Sequence, residues 1–289
     1  VPSVDALESG EVTPFALMRD FIRAFGIDEM ARRQVSASTG GERTAKGALG
    51  LDDAAMSSIV SIEQSRVSPG FAMSLGASLG LCGAAIFRKG TPAQRERFAV
   101  PVLTGEKIGA WAITEPQAGS DAFGGMRTIA RRSDGGYVLN GQKTFITNGP
   151  FADTILVYAK LDDGDVPMRE RPVHAFIVDG AQRGVTLGKP MRKMGMCASP
   201  TGEIFLEDVF VGSDRLLGEK EKDPRGEGAS EVFQGERTGI PPMALGIIER
   251  CLEDSLAYAK QRETWGRPIA EYQLVQQKLA RRYIHRQHV

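Results

Sequence analysis

The sequence is poor in cysteine and histidine and has no excess of either charge. Cys82, Cys197 and Cys251 are its only cysteines. They lie far apart and form no CxxC pair, which argues against a disulfide framework or a zinc ribbon. His174, His285 and His288 are the only histidines, so no HExxH or His-rich metal site can be assembled. Lys and Arg total 36 against 36 Asp and Glu. A balance of that kind excludes a surface that works by neutralising nucleic-acid phosphates. No GxxxxGK[ST] loop is present, and no GxGxxG follows a strand. Neither a secretory h-region nor an acid-poor, Arg-rich transit segment opens the chain. Bulk disorder is excluded by a chain of 289 residues that is 42% hydrophobic and 25% charged.

One uncharged run, residues 67–87, is long enough to cross a bilayer. It holds Pro69, Gly70, Gly76, Gly80 and Gly83 among small residues, so it reads as a buried bundle helix and no stable membrane insertion is expected. The Gly76/Gly80/Gly83 group reads as helix packing, since a phosphate cradle needs a strand, a loop and a helix in succession.

Three regimes follow one another along the chain. Residues 1–104 read as a helical domain. Phe15, Met18, Phe21, Ile22 and Phe25 recur at helical spacing, residues 51–67 suggest a further helix, and Thr91-Pro92-Ala93-Gln94 is a capped helix start. Residues 105–218 read as a central β domain, an antiparallel barrel or sandwich, with β-prone runs near 108–114, 128–130, 137–139, 154–158, 175–178, 184–187 and 204–211. Asn140-Gly141 reads as a hairpin turn because both residues tolerate positive φ. Residues 219–289 read as a charged linker and helices. Ile240, Ala244, Ile247, Ile248 and Cys251 suggest one apolar face, Pro241-Pro242 a kink or restart, and Gly266-Arg267-Pro268 an interruption before a helix near Tyr272. Helices, then strands, then helices indicate an α+β fold with segregated regions rather than alternating βαβ units.

Two polar clusters stand out. In residues 111–121 a β-run delivers Thr114, Glu115-Pro116 turns the chain, and Ala118-Gly119-Ser120-Asp121 offers hydroxyls and amides at the end of a strand, where scaffolds often place functional groups. In residues 139–149, Phe145 and Thr147 stand two apart on one strand face, spacing that can stack on and hydrogen-bond a planar heterocycle.

These clusters resemble signatures of the acyl-CoA dehydrogenases. Residues 114–121 resemble the family's TEPxAGSD, and residues 140–149 its NGxKxxITNG. Lys193-Met194-Gly195, Ser199 to Thr201, Leu206 to Val209 and Leu216-Leu217-Gly218 follow in the expected order. Residues 262–273 are similar to R-x-x-F-G-x-x-I-x-x-x-Q. The resemblance covers nearly the whole chain. It implies an N-terminal helical domain, a central β domain and a C-terminal helical bundle, here only partly present. It also implies FAD, acyl-CoA substrates, an electron-transfer flavoprotein as partner, and a homotetramer built from dimers. The expected location is the cytoplasm in a bacterium or the mitochondrial matrix in a eukaryote.

By position, the resemblance gives Ile113, Thr114, Phe145 and Thr147 to the flavin ring. It puts Ser120 near the flavin phosphate and the pantetheine of the substrate. Arg262, Trp265 and Gln273 would reach the FAD diphosphate and adenine of a neighbouring subunit. Phe145 stands where relatives usually have Trp, and Trp265 where they usually have Phe; both exchanges keep an aromatic surface. The 226–236 linker is a residue or more shorter than in relatives. The later segment that in most relatives carries the catalytic carboxylate lies beyond this sequence. In the isovaleryl-CoA and long-chain branches that carboxylate sits before an Arg early in the C-terminal domain, where this chain has Glu236-Arg237. Glu236 is therefore the expected base, Arg237 its orienting or CoA-supporting neighbour, and Phe233 a border of the pantetheine channel. Glu115, fixed beside Pro116, is not expected to act as base. The same scaffold also admits an oxygen-using oxidase or monooxygenase, or a non-catalytic subunit that completes a partner's FAD site.

Overall fold

The computed structural model describes residues 3–39, 54–221 and 227–289. The first region is helical: α1 (Val4–Glu8), α2 (Phe15–Ala24), α3 (Ile27–Thr39) and α4 (Ala54–Val67). In α2 the expected stripe turns Phe15, Met18 and Ile22 into the core, while Phe25, at the end of the helix, is exposed. Each such buried apolar side chain stabilises the fold by about 1.5–3 kcal/mol.

The uncharged run forms one long helical segment, Pro69–Lys89, and 78% of its most apolar window is buried inside the protein. It comprises α5 (Pro69–Leu75), a π-helical stretch (Gly76–Gly83) and α6 (Ala84–Lys89). Ser68 caps it by accepting from the Phe71 amide. After Gly90, Thr91 and Gln94 form the expected capping box of α7 (Pro92–Gln94); a short π-helical turn and α8 (Val100–Leu103) follow.

Seven strands then build one curled sheet: β1 (Gly109–Ala112), β2 (Ile129–Ser133), β3 (Gly136–Thr147), β4 (Thr154–Leu161), β5 (Val173–Asp179), β6 (Val185–Leu187) and β7 (Thr201–Gly212). Its order is β1-β4-β2-β3-β7-β6, with β5 on the other edge of β4. The sheet is mixed rather than wholly antiparallel, because β4 runs parallel to β1 and β2. The helical region leads into β1 from one end, and a long excursion returns the chain in the same direction as β4, a relation that strand spacing cannot reveal.

Asn140-Gly141 is not the hairpin turn. The β2–β3 turn lies at Asp134-Gly135, with Gly135 at φ 73°. Gly141 instead sits within β3, at a register shift against β7. A Cβ there would come within 2.7 Å of the Thr128 Cα, so glycine serves close backbone approach rather than reversal.

Both faces of the middle strands are covered. Trp111 and Tyr158 face a core shared with the helices, while Ala110, Ile155 and Val157 face a second core inside the curl, against Leu139, Ile204 and Val209. Two-sided burial explains why β4 is apolar along most of its length.

In the last region α9 (Glu227–Gln261) stays helical through Pro241-Pro242 without restarting. Its apolar face differs from the expected one. Ile240 and Cys251 are exposed, whereas Gly246, Leu252 and Ala259 are buried. Gly246 is where α4 crosses: a Cβ would meet the Ile62 carbonyl oxygen at 2.3 Å. The crossing is secured by Arg66, which donates to Glu249 and Glu253. A two-strand hairpin, β8 (Glu263–Thr264) and β9 (Arg267–Pro268), precedes α10 (Gln273–His288).

Candidate active site

The two polar clusters meet at the ends of β1 and β3. The Thr144 amide donates to the Thr114 carbonyl at 2.9 Å, and Lys143 Nζ donates to the Ile113 carbonyl at 3.2 Å. Ile113, Thr114, Phe145 and Thr147 therefore belong to one structural unit. Ile113 is buried, Thr114 and Thr147 are half-buried, and the hydroxyls of Thr114, Ser120 and Thr147 have no hydrogen-bond partner among the described residues. Ser120 stands exposed on the loop after β1.

Holding these segments together is a buried ion pair that the sequence reading missed. Lys143 Nζ lies 2.8 Å from Glu115 Oε1, and the two side chains are 0% and 2% exposed. Oε1 also accepts from the Thr128 amide at 2.9 Å and from the Thr128 hydroxyl, and Oε2 accepts from the Arg127 amide at 2.6 Å. Burial alone would raise the Glu115 pKa, but the Lys143 charge and these donors outweigh it and hold the carboxyl below its ordinary range. Burial pushes the Lys143 ammonium down to about 8, against the pull of Glu115. A buried carboxylate that takes three donors on Oε1, one of them the Lys143 ammonium, and one on Oε2 acts here as a brace between the two segments. The signal was available as a Glu and a Lys in the two motifs; their meeting depends on the fold.

Asn148 anchors the other end of β3. It is fully buried in the left-handed region at φ 63°. Its Oδ1 accepts from the Ser74 hydroxyl at 2.6 Å, and its Nδ2 donates to the carbonyls of Ser74 and Gly109. Lys193, from the Lys-Met-Gly segment, donates to the Ser199 carbonyl and to Thr201 Oγ1, and so supports the adjacent end of β7.

Phe145 itself departs from regular strand geometry. It adopts φ 56° at a register shift between Lys143 and Ile146, and its ring is 66% exposed. Trp265 repeats the pattern at φ 54°, followed by Gly266 at φ 76° in the β8–β9 turn, and it is 97% exposed. A left-handed conformation is unfavourable for a bulky non-glycine residue; at Trp265 the two-residue β8–β9 turn requires it, whereas Phe145 holds it inside a strand. The Trp265 hairpin is braced by Tyr272, whose hydroxyl donates to the Thr264 carbonyl at 2.7 Å and whose ring lies 4.3 Å from the Arg267 guanidinium carbon.

Arg262 and Gln273 flank this hairpin, exposed, and no hydrogen bond or ion pair joins them or Trp265 to the β domain among the described residues. The structure thus yields two separate groups on one chain. Arg237 on α9 is exposed, with no ion-pair partner among the described residues. Glu236 and Phe233 fall on α9, and their side chains lie outside the described residues. Nearby, a cavity of ≈ 310 Å³ opens between the Pro69–Lys89 segment and α9, walled by Met73, Gly76 and Gly80 on one side and Gly239, Ile240 and Met243 on the other. Gly83 packs tightly on Leu103, but Gly76 and Gly80 do not pack on a neighbour as expected; they face this opening. No cluster of metal-binding side chains occurs among the described residues.

Comparison with protein-family models matches residues 11–106 to the N-terminal domain, 110–209 to the middle domain and 226–288 to the C-terminal domain of acyl-CoA dehydrogenase. The chain belongs to the acyl-CoA dehydrogenase family. Among similar proteins, this acyl-CoA dehydrogenase-family chain is 39% identical to mitochondrial isovaleryl-CoA dehydrogenase of Arabidopsis thaliana, over 76% of this chain and 53% of that one. The solved structure of butyryl-CoA dehydrogenase from Megasphaera elsdenii matches with a TM-score of 0.75 at 36% identity, covering 83% of this chain and 62% of its own. A prolyl acyl carrier protein oxidase matches with a TM-score of 0.81 at 26% identity, covering 100% of this chain and 72% of its own. The chain spans little more than half the length of the curated relatives it matches.

Proposed function

We propose that this chain binds FAD and serves the α,β-desaturation of an acyl-CoA thioester. The observation that carries the reading is the pair of exposed aromatics, Phe145 and Trp265, held at left-handed φ of 56° and 54°. Backbone strain at an exposed residue, as at Phe145, is often found at functional sites, and the β8–β9 turn presents Trp265 fully to the outside. They suit the two ends of an extended dinucleotide: Phe145 packs on the flavin ring, and Trp265 lies at the adenine end of a cofactor held by a neighbouring subunit. The unpartnered hydroxyls of Thr114 and Thr147 bond the ring's polar edge, with Ile113 beside it. Ser120 serves the flavin phosphate and the pantetheine. Arg262, a permanent bidentate donor with no partner among the described residues, takes the diphosphate together with Gln273. Because the two groups are separate on one chain, each cofactor draws on two subunits, which supports the dimer-based homotetramer.

When bound, FAD supplies the acceptor for the β-hydride. The protein's part is to hold the acyl group and remove the α proton. Glu236, on α9 three residues before Gly239 in sequence, serves as the general base. Phe233 and Arg237 border the CoA chain. Electrons leave to an electron-transfer flavoprotein, and the protein works in the bacterial cytoplasm or the mitochondrial matrix.

Replacing Glu236 with Gln tests the assignment. The variant is expected to keep its flavin colour but to lose bleaching by acyl-CoA by a factor on the order of 10²–10⁴, the usual contribution of a general base. Unchanged bleaching would remove Glu236 from the role. The likeness to the prolyl acyl carrier protein oxidase favours a second reading, in which oxygen takes the electrons. Rapid reoxidation of the reduced protein by air would favour it; slow reoxidation favours the dehydrogenase.

A further inference from the structure

Three glycines in the cavity wall have no explanation in the protein's own packing. Gly76 and Gly80 lie in the π-helical stretch, and Gly239 lies in α9. None adopts a positive φ. Among the described residues, a Cβ added to Gly76, Gly80 or Gly239 would meet nothing within 4 Å. Gly83 is different: its missing Cβ makes room for Leu103 and Val102. Glycine in a helix interior is destabilising relative to alanine because it has more backbone freedom to lose. Three such positions, free of steric demand and turned to the same space, leave the volume itself as what they preserve.

The shape of that volume indicates an occupant. Gly76 and Gly80 are about one turn apart on one wall, and Gly239 belongs to the opposite wall. Side chains missing from two facing walls widen the cleft between them. A straight alkyl chain needs no such width, whereas a branched or ring-bearing acyl group does. The remaining walls include Met73, Ile240 and Met243, apolar side chains, two of which, the methionines, can adapt to an irregular shape. At ≈ 310 Å³ the space is about twice the ~150 Å³ cavity that accepts benzene in an engineered protein core. It also falls within the range of small-molecule sites, about 300–1,000 Å³. The π-helical backbone adds a second local departure on the same wall, a form that is rare and often found at functional sites.

We infer that Gly76, Gly80 and Gly239 are specificity-determining residues that fit this cavity to branched or ring-bearing acyl thioesters in preference to short straight ones. The inference rests on the proposed acyl-CoA reading of the site.

The test uses the FAD-loaded protein and its G76A and G80A variants with three probes: butyryl-CoA, isovaleryl-CoA and 3-phenylpropionyl-CoA. Three quantities are read: thioester affinity from the flavin spectrum, kcat/KM for bleaching, and melting temperature. Wild type is expected to prefer isovaleryl- or 3-phenylpropionyl-CoA over butyryl-CoA by at least tenfold. Each alanine should cut affinity and kcat/KM for the bulky probes by roughly tenfold and leave butyryl-CoA within about twofold, on the scale of one methyl group in an apolar pocket. Melting temperature should hold or rise, since alanine is the better helix former. A wild-type preference for butyryl-CoA, or equal losses with all three probes, overturns the inference while leaving the acyl-CoA reading intact. A fall in melting temperature in both variants also overturns it, by showing that the glycines serve packing. No response to any probe overturns the acyl-CoA reading and the inference with it.

Discussion

Replacing Glu115 with Gln should unlock the junction that joins Ile113 and Thr114 to Phe145 and Thr147. The neutral amide keeps the shape of the carboxylate but withdraws the charge opposite Lys143, whose side chain is fully buried and otherwise donates only to the Ile113 carbonyl. Removing one partner of a buried ion pair costs about 3–5 kcal/mol, because the other charge is left uncompensated. Since the Gln oxygen can still accept from the amides of Arg127 or Thr128, the lower end of the range, about 3 kcal/mol, applies. For a chain of this size that corresponds to a melting point roughly 6–12 °C lower. The pH dependence gives the sign. The folded pKa of Glu115 lies below its ordinary value of 4.5, so the folded state binds fewer protons than the unfolded one in that window. The stabilisation is complete above pH 4.5 and is lost as pH falls through the folded pKa. Calorimetric melts of both proteins between pH 7 and pH 3 should show a gap that narrows below 4.5. A gap under about 2 °C at pH 7, less than one kcal/mol for a chain of this size, would refute the brace, as would a gap independent of pH.

Phe145→Gly should relieve the left-handed strain and leave the melting point unchanged or slightly higher, while FAD retention on gel filtration falls at least tenfold; a lower melting point with FAD retained would show that the ring serves packing. Asn148→Ala should cost about 2–4 kcal/mol in a denaturant titration, since it removes the bonds to Ser74 and Gly109 and leaves a non-glycine residue at positive φ. Asn148→Gly should be milder by roughly 1 kcal/mol, because it keeps the backbone conformation; equal losses would assign the whole effect to the side-chain bonds.

Local signals read well in this sequence where local physics decides. The α2 stripe, the capping box at Thr91 and the strand runs all follow from periodicity and turn chemistry. The readings that failed depend on partners distant in the chain. Asn140-Gly141 has the composition of a turn, but its glycine answers to Thr128 across the sheet. The parallel β1–β4 pairing is set by the path of the chain around the curl. On α9 the buried row includes Gly246 because α4 crosses there, while of the expected row Ala244, Ile247 and Ile248 are half-buried and Ile240 and Cys251 are exposed. At the candidate site the motif residues could be named in advance, but the Glu115–Lys143 pair, the left-handed Phe145 and Trp265, and the open space beside Gly76 and Gly80 appear only once the segments are folded together.

The central claim is that the site couples a bound flavin to removal of hydrogen from an acyl thioester. Anaerobic titration of the purified wild-type protein with acyl-CoA, followed by the visible flavin absorbance and by mass analysis of the thioester, tests it most directly. The account predicts a yellow protein whose colour bleaches as one α,β-unsaturated thioester forms for each flavin reduced. A colourless protein, or a flavin that stays oxidised while the thioester is recovered unchanged, would contradict it.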